Sequence, residues 1–545
     1  GLAVPSETTE LSGYTLLKQG NPSFYCLKLR SEYINKYRET VKCTFGEQIS
    51  YRPKRTIMLL GATGSGKSTL INGMINYILG VQWDDDLRFK LIYEETCKSQ
   101  AESQTSKITA YEMNHREGFQ VDYSLTIIDT PGFGDTMGLN GFQQIDAVCF
   151  VVQASQARLT HAQKYIFDSI LSIFGKDIAN NILMLITFAD GQRPPVLDAI
   201  TASNIPCNTD DNGNPVYFKF NNSALFANNK ESTCSDKIFD KMFWEMGTQS
   251  MKRFFDSLEQ MNTKSLSLTK EVLEERKRLE MAIEGLQPQI RAGLTKLEEI
   301  RKTGEALKQH IDQIESNKNF EYEVEVTETL RESIAGTGKF ITNCQKCNFT
   351  CHYPCAFSND EEKISCAAMK NGDCTVCPGK CVWSVHSNQQ YRFIYKTSKI
   401  QRTYDELKKN FEKATGEKMT TEKLFEQLQH EFDEVEDAVC ALIHTSHDCI
   451  TRLEEIALRP NPLSTPDYID LLINNEKQEA KPGFMERIKS LEEVKQQAVI
   501  IQKVINKEEL LPSEKLKYNC KEERKKQRGM LVSLVGAFSY NQLMF

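Results

Sequence analysis

The segment Gly61-Ala-Thr-Gly-Ser-Gly-Lys-Ser68 constrains the fold more than any other part of the chain. It fits the pattern G-x-x-x-x-G-K-[ST], and it lies between an apolar, strand-like run and a helix-forming stretch. Glycines let successive backbone N–H groups face phosphate oxygens, and the helix N-terminus adds its positive dipole end. Lys67 is expected to reach the β- and γ-phosphates, and the Ser68 hydroxyl to bind Mg²⁺. The predicted phosphate-binding residues are Gly61, Thr63, Gly64, Ser65, Gly66, Lys67, Ser68 and Thr69.

A second phosphate motif follows the next apolar strand-like run. The segment Asp129-Thr-Pro-Gly132 fits the pattern D-x-x-G. Asp129 is expected to hold Mg²⁺ through water, and the Gly132 amide to contact the γ-phosphate. Thr105 is the candidate switch threonine that would complete the Mg²⁺ site with Ser68 and Asp129. Its neighbours Ser106 and Thr109 are alternatives, since single threonines are common in loops.

The choice of base depends on the segment Thr187-Phe-Ala-Asp190, which follows a buried strand-like run. It is a degenerate form of N/T-K-x-D without the lysine. A carboxylate at Asp190 can accept hydrogen bonds from N1 and N2 of guanine, a donor pair that adenine lacks. The alternative is an ordinary turn at the end of a strand. Asn222 and Ser223, after the last strand of this region, are candidates for the loop under the base.

Strand and helix signals alternate between residues 55 and 260, which predicts an α/β P-loop domain with a mostly parallel sheet and helices on both faces. Beyond this domain, apolar residues recur with a seven-residue period in 272–314 and again in 425–456. We expect Pro288 to kink the first of these helices. Packing within the chain is favoured over an intermolecular coiled coil, and both can hold together.

A cysteine block lies between these two helical regions. Eight of the 17 cysteines fall in 344–381, with paired spacings typical of tetrahedral zinc sites. About two structural zinc ions are expected, with the pairs Cys344/Cys347 and Cys374/Cys377 as starting points. Disulfides and an iron–sulfur cluster are weaker alternatives. The zinc candidates are Cys344, Cys347, Cys351, His352, Cys355, Cys366, Cys374, Cys377, Cys381 and His386.

Composition excludes some classes of function and leaves others open. The net charge of −7 gives no reason for general nucleic-acid or membrane affinity. We found no apolar run of about 20 residues, which a membrane-spanning helix needs, and no signal peptide. These features, with the cysteine block, favour the cytoplasm. The basic run 515–528 fits a solvated helix face better than a phosphate-binding surface.

Together the motifs resemble the septin-like branch of P-loop GTPases, specifically the AIG1/GIMAP and plant Toc group. The resemblance covers about residues 55–260. It rests on residues 61–69, Thr105, 129–135, the pair Asn221-Asn222, and the Gln, Arg and Thr of the segment 152–160.

The resemblance implies GTP/GDP and Mg²⁺ as ligands, slow hydrolysis of GTP to GDP and phosphate, and GTP-dependent self-association across the nucleotide face. Arg158 is then a candidate for that face, with helix capping as the alternative. Only residues 130–145 separate Asp129 from Asp146, where the family carries a longer switch loop and a helix. Either this helix has been lost or a segment is missing from the sequence, and we favour the second. The catalytic residue therefore stays unknown.

These features predict six regions. They are an N-terminal extension (1–54), an AIG1-like GTPase domain (55–260), a long helix (261–320), a zinc module (321–400), a helical hairpin or bundle (401–515), and a basic segment with a tail (516–545). The favoured function is a GTP-driven self-assembly switch coupled to a zinc-stapled helical region, whose seams offer surfaces for protein partners. The alternatives are a nucleotide-bound scaffold with little turnover and a zinc-dependent nucleic-acid-binding protein.

Overall fold

The structure is a computed structural model that describes most of the chain. The described residues are 13–34, 40–48, 51–62, 64–92, 108–130, 142–159, 164, 167, 168, 170–230, 234–309, 321–416, 420–460, 466–479 and 484–511. Thr63, Thr105, Ser106, Gly132 and the basic run 515–528 lie outside them. The chain divides into two compact units, Gly1–Leu273 with Glu454–Pro462, and Glu274–Leu453 with Leu463–Phe545.

The first unit contains thirteen described strands and three described α-helices that lie wholly within it. The strands are β1 (Tyr14–Lys18), β2 (Ser23–Leu27), β3 (Arg30–Tyr33), β4 (Thr40–Phe45), β5 (Lys54–Gly61), β6 (Leu87–Lys90), β7 (Ile108–Met113), β8 (Ser124–Asp129), β9 (Gln144–Ile145), β10 (Ala147–Gln153), β11 (Ile182–Thr187), β12 (Tyr217–Lys219) and β13 (Lys264–Ser265). The helices are α1 (Lys67–Ile78), α2 (Val196–Ala202) and α3 (Cys234–Gln260).

Eight of these strands form one sheet in the order β12-β11-β10-β5-β8-β7-β4-β3. Neighbours are parallel except for the pairs β7–β8 and β3–β4. The prediction of a mostly parallel sheet is therefore confirmed. In addition, β4 pairs with β7 and β3 pairs with β4, so these two strands widen the sheet beyond the strands expected for the GTPase domain.

The sheet has a hydrophobic core on each face. Side chains alternate along β5, so that Ile57 and Leu59 enter one core while Met58 and Leu60 enter the other. The first core is covered by α1 and α3, and α2 contributes to the second. The carboxyl ends of β5, β8, β10 and β11 meet at one edge of the sheet, where the predicted motifs follow each strand.

The second unit combines long helices with a two-stranded ribbon. Its elements are α4 (Ser267–Gln309), β14 (Glu321–Ser333), β15 (Phe340–Cys344), β16 (Phe349–Cys355), β17 (Met369–Lys370), β18 (Asp373–Cys374), β19 (His386–Ser387), β20 (Tyr391–Thr403), α5 (Tyr404–Thr415), α6 (Thr421–Ile456), α7 (Pro466–Glu479) and α8 (Phe484–Ile505). The start of α4, up to Leu273, and the end of α6, from Glu454, belong to the first unit. β14 and β20 pair antiparallel along their full length, and the cysteine block lies between them in sequence.

The two predicted stretches of seven-residue apolar repeat, here called the seams, lie on α4 and α6, which pack against each other. Residues 310–314 of the first seam lie outside the described residues. A methyl group at Gly285 would lie 3.3 Å from Leu442, and one at Gly293 would lie 3.3 Å from Val435. Lys296 and Glu431 form an ion pair of 2.6 Å between the same helices. The seams therefore pack within the chain, and an intermolecular coiled coil stays a prediction. α4 continues through Pro288, where we expected a kink. Among the described residues, no helix combines the length and apolar character needed to cross a membrane.

Candidate nucleotide site and metal centre

The phosphate loop joins β5 to α1 in the conformation that its glycines allow. Gly64 and Gly66 have φ angles of +80° and +84°, in the left-handed region that side chains with a Cβ rarely adopt. A methyl group at Gly61 would lie 2.6 Å from Ser65 Oγ and 2.9 Å from the Val151 carbonyl oxygen. The backbone thus leaves no room for a side chain at position 61. Ser65 is itself buried, and its hydroxyl has no hydrogen-bond partner among the described residues.

Lys67 begins α1 and lies against the end of β8. Its Nζ is 3.0 Å from Asp129 Oδ1, and it also donates to the Thr130 carbonyl oxygen. Asp129 is nearly fully buried, which raises the pKa of its carboxyl group, and the Lys67 charge opposes this rise. The structure therefore brings together the predicted phosphate-binding lysine and the predicted Mg²⁺ carboxylate. Ser68 follows in the first turn of α1 and is half-buried.

Thr187, at the end of β11, connects the loop that follows this strand to the phosphate loop by a hydrogen bond. Its hydroxyl donates to the Ser65 carbonyl oxygen at 2.6 Å. Phe188 takes the place of the lysine in N/T-K-x-D, has a φ of +52°, and leaves 57% of its surface exposed. Its ring atoms would lie 3.4–3.5 Å from a methyl group at Gly66. Sequence reasoning assigned no role to either residue, although Thr187 occupies the first position of a recognised motif.

Asp190 lies at the exposed end of the same loop. Its Oδ1 accepts a hydrogen bond of 2.8 Å from the Gln192 amide. Asn221 supports the loop, since its Nδ2 donates to the Ala189 carbonyl oxygen at 3.2 Å. Asn222 has its Oδ1 3.3 Å from the position of a methyl group on Gly73, in the middle of α1, and its predicted contact with the base stays a prediction. Asn221 therefore contacts the loop of residues 187–190, which we call the base loop.

The segment after β10 also lies beside the phosphate loop. Gln153 Nε2 donates to the Gly64 carbonyl oxygen at 3.0 Å. Arg158 follows five residues later with an exposed side chain. The family resemblance implies that this arginine is part of a surface for self-association. The hydrogen bond of Gln153 places the start of the segment 153–158 at the edge of the sheet where the phosphate loop lies.

Residues 454–462 belong to the first unit, although they are distant from it in sequence. The Leu458 amide donates to the Phe174 carbonyl oxygen at 2.9 Å, and Arg459 Nε lies 3.3 Å from an Asp168 carboxylate oxygen. Lys176 Nζ donates to the Glu454 carbonyl oxygen at 2.7 Å. The last turn of α6 and Leu458 and Arg459 after it therefore pack on the first unit, against Asp168, Phe174 and Lys176.

The cysteine block of the second unit brings all ten predicted zinc candidates close together. Three groups have ligand atoms within 4.8 Å of one another: Cys344, Cys347, Cys377 and Cys381; Cys351, Cys374, Cys377 and His386; and His352, Cys355 and Cys366. The Cys347 amide donates to Cys344 Sγ, and the Cys377 amide to Cys374 Sγ, at 3.4 Å each. Such hydrogen bonds stabilise thiolate ligands. The contact with Cys366 lowers the pKa of Cys355, which favours the thiolate that metals bind.

Packing around these sulfurs is tight. A methyl group at Gly379 would lie 3.0 Å from Cys381 Sγ and 3.1 Å from Cys347 Sγ, so a larger residue at this position would push the two sulfurs apart. The block also packs on α4, where Met281 joins its core and Gly285 faces Val376. The donor set and its burial fit structural zinc.

Comparisons with known proteins address the first unit. Residues 53–164 match the family model of septins. Toc33 from Arabidopsis thaliana with Mg²⁺ and GMPPNP is similar over 37% of this chain and 87% of that chain, at 14% identity and a TM-score of 0.24. Toc33 with GDP and Mg²⁺ is similar over 37% and 85%, at 15% identity and a TM-score of 0.25. No match was found among curated proteins. The match of residues 53–164 to the septin model covers the phosphate loop and Asp129, the residues that carry the two predicted phosphate motifs.

Proposed function

We propose that this protein is a GTP-dependent self-association switch of the AIG1/GIMAP and Toc type, with slow hydrolysis of GTP. The observation that carries the proposal is the linkage of three motifs at one sheet edge. Lys67 pairs with Asp129 at 3.0 Å, and Thr187 fastens the base loop to Ser65 at 2.6 Å. Loss of the γ-phosphate can therefore alter the position of Asp129, through Lys67, and of the base loop, through Ser65 and Thr187.

The residues present fit a guanine nucleotide with Mg²⁺. Gly64 and Gly66, which have positive φ angles, have no side chain that would block access of phosphate to the backbone N–H groups of the loop. Buried Asp129 supplies a carboxylate next to Lys67. Lys67 would hold the β- and γ-phosphates, while Ser68 and Asp129 would hold Mg²⁺, which neutralises phosphate charge. Thr105 and Gly132 are proposed as γ-phosphate sensors from their motifs alone.

Self-association is proposed through the face that contains Arg158. Gln153 contacts the phosphate loop, so the segment 153–158 can respond to the bound nucleotide. Residues 454–459 are proposed to couple this unit to the helices, because they include the end of α6 and contact Asp168, Phe174 and Lys176 of the first unit. A ligand shifts such an equilibrium only through different affinities for the two states. Cytoplasmic location is part of the proposal, since thiol-rich metal sites suit a reducing compartment.

Replacing Asp190 with asparagine should weaken GTP binding by at least about 10-fold, because hydrogen bonds to a charged group contribute about 1.5–3 kcal/mol each. Xanthosine triphosphate, which has an oxygen in place of the 2-amino group, should bind the variant better than GTP. Competition titrations with fluorescent GTP measure both effects. Asp211→Asn, an exposed carboxylate elsewhere in the same unit, is the matched control. Equal affinity of the wild-type protein for ATP and GTP would refute guanine selectivity.

A further inference from the structure

We propose that the cysteine block binds three zinc ions: two share the Cys377 thiolate as a bridging ligand, and the third is bound by His352, Cys355 and Cys366 with the Thr342 hydroxyl as its fourth ligand. The sequence predicted about two ions, because it shows pairs of cysteines but not their partners. This inference concerns the second unit and does not depend on the nucleotide proposal.

The position of Cys377 indicates that its thiolate bridges two zinc ions. Two four-ligand groups can be formed in the block, and Cys377 belongs to both. The ligand atoms of each group lie within 4.8 Å of one another, and without Cys377 each group keeps only three ligands. Zinc in structural sites is almost always four-coordinate. Two separate ions with four protein ligands each would need one more ligand than these two groups contain, and a shared thiolate supplies it.

The third group has the dimensions of a tetrahedral site. Two thiolates that are each about 2.3 Å from a tetrahedral zinc ion lie about 3.8 Å apart. Cys355 Sγ and Cys366 Sγ are 3.8 Å apart, and His352 Nδ1 is 3.2 Å from Cys366 Sγ. The same distance in the first group, between Cys347 Sγ and Cys381 Sγ, is 3.6 Å. The sulfur–sulfur distance in the third group is therefore close to that in the first group, which has four cysteines.

The Thr342 hydroxyl lies beside the two sulfurs of this third group. It donates a hydrogen bond of 3.2 Å to Cys355 Sγ and lies 3.3 Å from Cys366 Sγ, so it is close enough to serve as the proposed fourth ligand. Thr342 has 0% of its surface exposed, and the three other ligands are buried as well. A catalytic zinc keeps an open position for water or substrate. The buried hydroxyl closes that position, so this site is structural.

A buried lysine next to Cys355 supports an ion in the third group. Lys363 is fully buried, and its ammonium group contacts the carbonyl oxygens of Ile341 and Phe357 and lies 3.8 Å from Cys355 Sγ. A buried cation needs an anionic partner, and a zinc-bound Cys355 thiolate provides one.

Metal analysis of the full chain, purified without added zinc, should find three zinc ions per protein. Cys366→Ser should retain two ions, and Cys26→Ser, a half-buried cysteine of the first unit, should retain three. Thr342→Val, which keeps the shape of the side chain, should make one ion of the three transfer faster to a chromophoric chelator.

Cadmium-113 NMR of the metal-exchanged wild-type chain tests the bridge without any substitution. Three resonances are expected, two of them split by coupling through the shared sulfur and one unsplit. Two or fewer ions per chain, three resonances without mutual splitting, or cysteines oxidised in pairs would each overturn the proposal. If Cys366→Ser fails to fold, the stoichiometry and the spectrum of the wild-type chain decide the question.

Discussion

Replacing Lys67 with alanine should weaken GTP binding by at least about 100-fold, which corresponds to about 2.7 kcal/mol. The Lys67 side chain is only 10% exposed and starts the helix whose N-terminus faces the phosphate loop. Its loss removes charge-assisted hydrogen bonds to phosphate in a site shielded from water, where such bonds are strongest. Titration with a fluorescent GTP analogue measures the affinity.

The control for this substitution is Lys252→Ala, which removes an exposed lysine that pairs with Asp256 on α3. Exposed ion pairs of this kind contribute little, so binding should stay at the wild-type level. Thermal unfolding separates lost binding from lost structure. A folded Lys67→Ala protein that binds GTP as tightly as the wild type would refute the assignment of this loop.

Removing zinc should unfold the cysteine block almost completely and leave nucleotide binding nearly unchanged. Structural zinc contributes about 10–16 kcal/mol of apparent binding free energy in small zinc-dependent domains, more than the stability of most domains. The core of the block is formed largely by cysteines that are proposed ligands, so little else holds it. The GTPase sheet has two hydrophobic cores of its own.

Two routes test this expectation. A strong chelator should expose residues 340–390 to hydrogen exchange, and Cys347→Ser should do so without a chelator, because Cys347 belongs to the first ligand group. Cys43→Ser, a half-buried cysteine of β4, is the control. Protection of the block that survives complete metal removal would show that packing or disulfides, rather than zinc, hold it together.

The sequence predicted the GTPase sheet well because its signals are local. Buried parallel strands are continuous apolar runs, and the phosphate loop is a contiguous motif. The pairing of β4 with β7 could not be predicted in this way, since it joins segments about 70 residues apart and depends on tertiary packing. The lysine missing at position 188 weakened the base assignment, and only the structure showed that Thr187 contacts Ser65.

In the cysteine block too, local spacing could be predicted from the sequence, whereas contacts between distant residues could not. Spacing identified all ten candidate ligands, because paired cysteines two residues apart are a local pattern. Assignment to groups depends on the fold of β15–β19, which brings Cys344 to Cys377 and Cys351 to His386. The Thr342 hydroxyl carries no sequence signal at all. Asn221 and Asn222 are neighbours, and only their surroundings in the fold distinguish the one that contacts the base loop.

We propose that GTP, and not GDP, drives self-association. Multi-angle light scattering of the full chain with Mg²⁺, in GDP or in a non-hydrolysable GTP analogue, tests it most directly. We expect a smaller species with GDP and a dimer or larger species with the analogue, because only the γ-phosphate distinguishes the two ligands. Arg158→Ala should reduce association and leave nucleotide affinity intact. An identical mass with both nucleotides would contradict the switch and favour a scaffold held together by its helices.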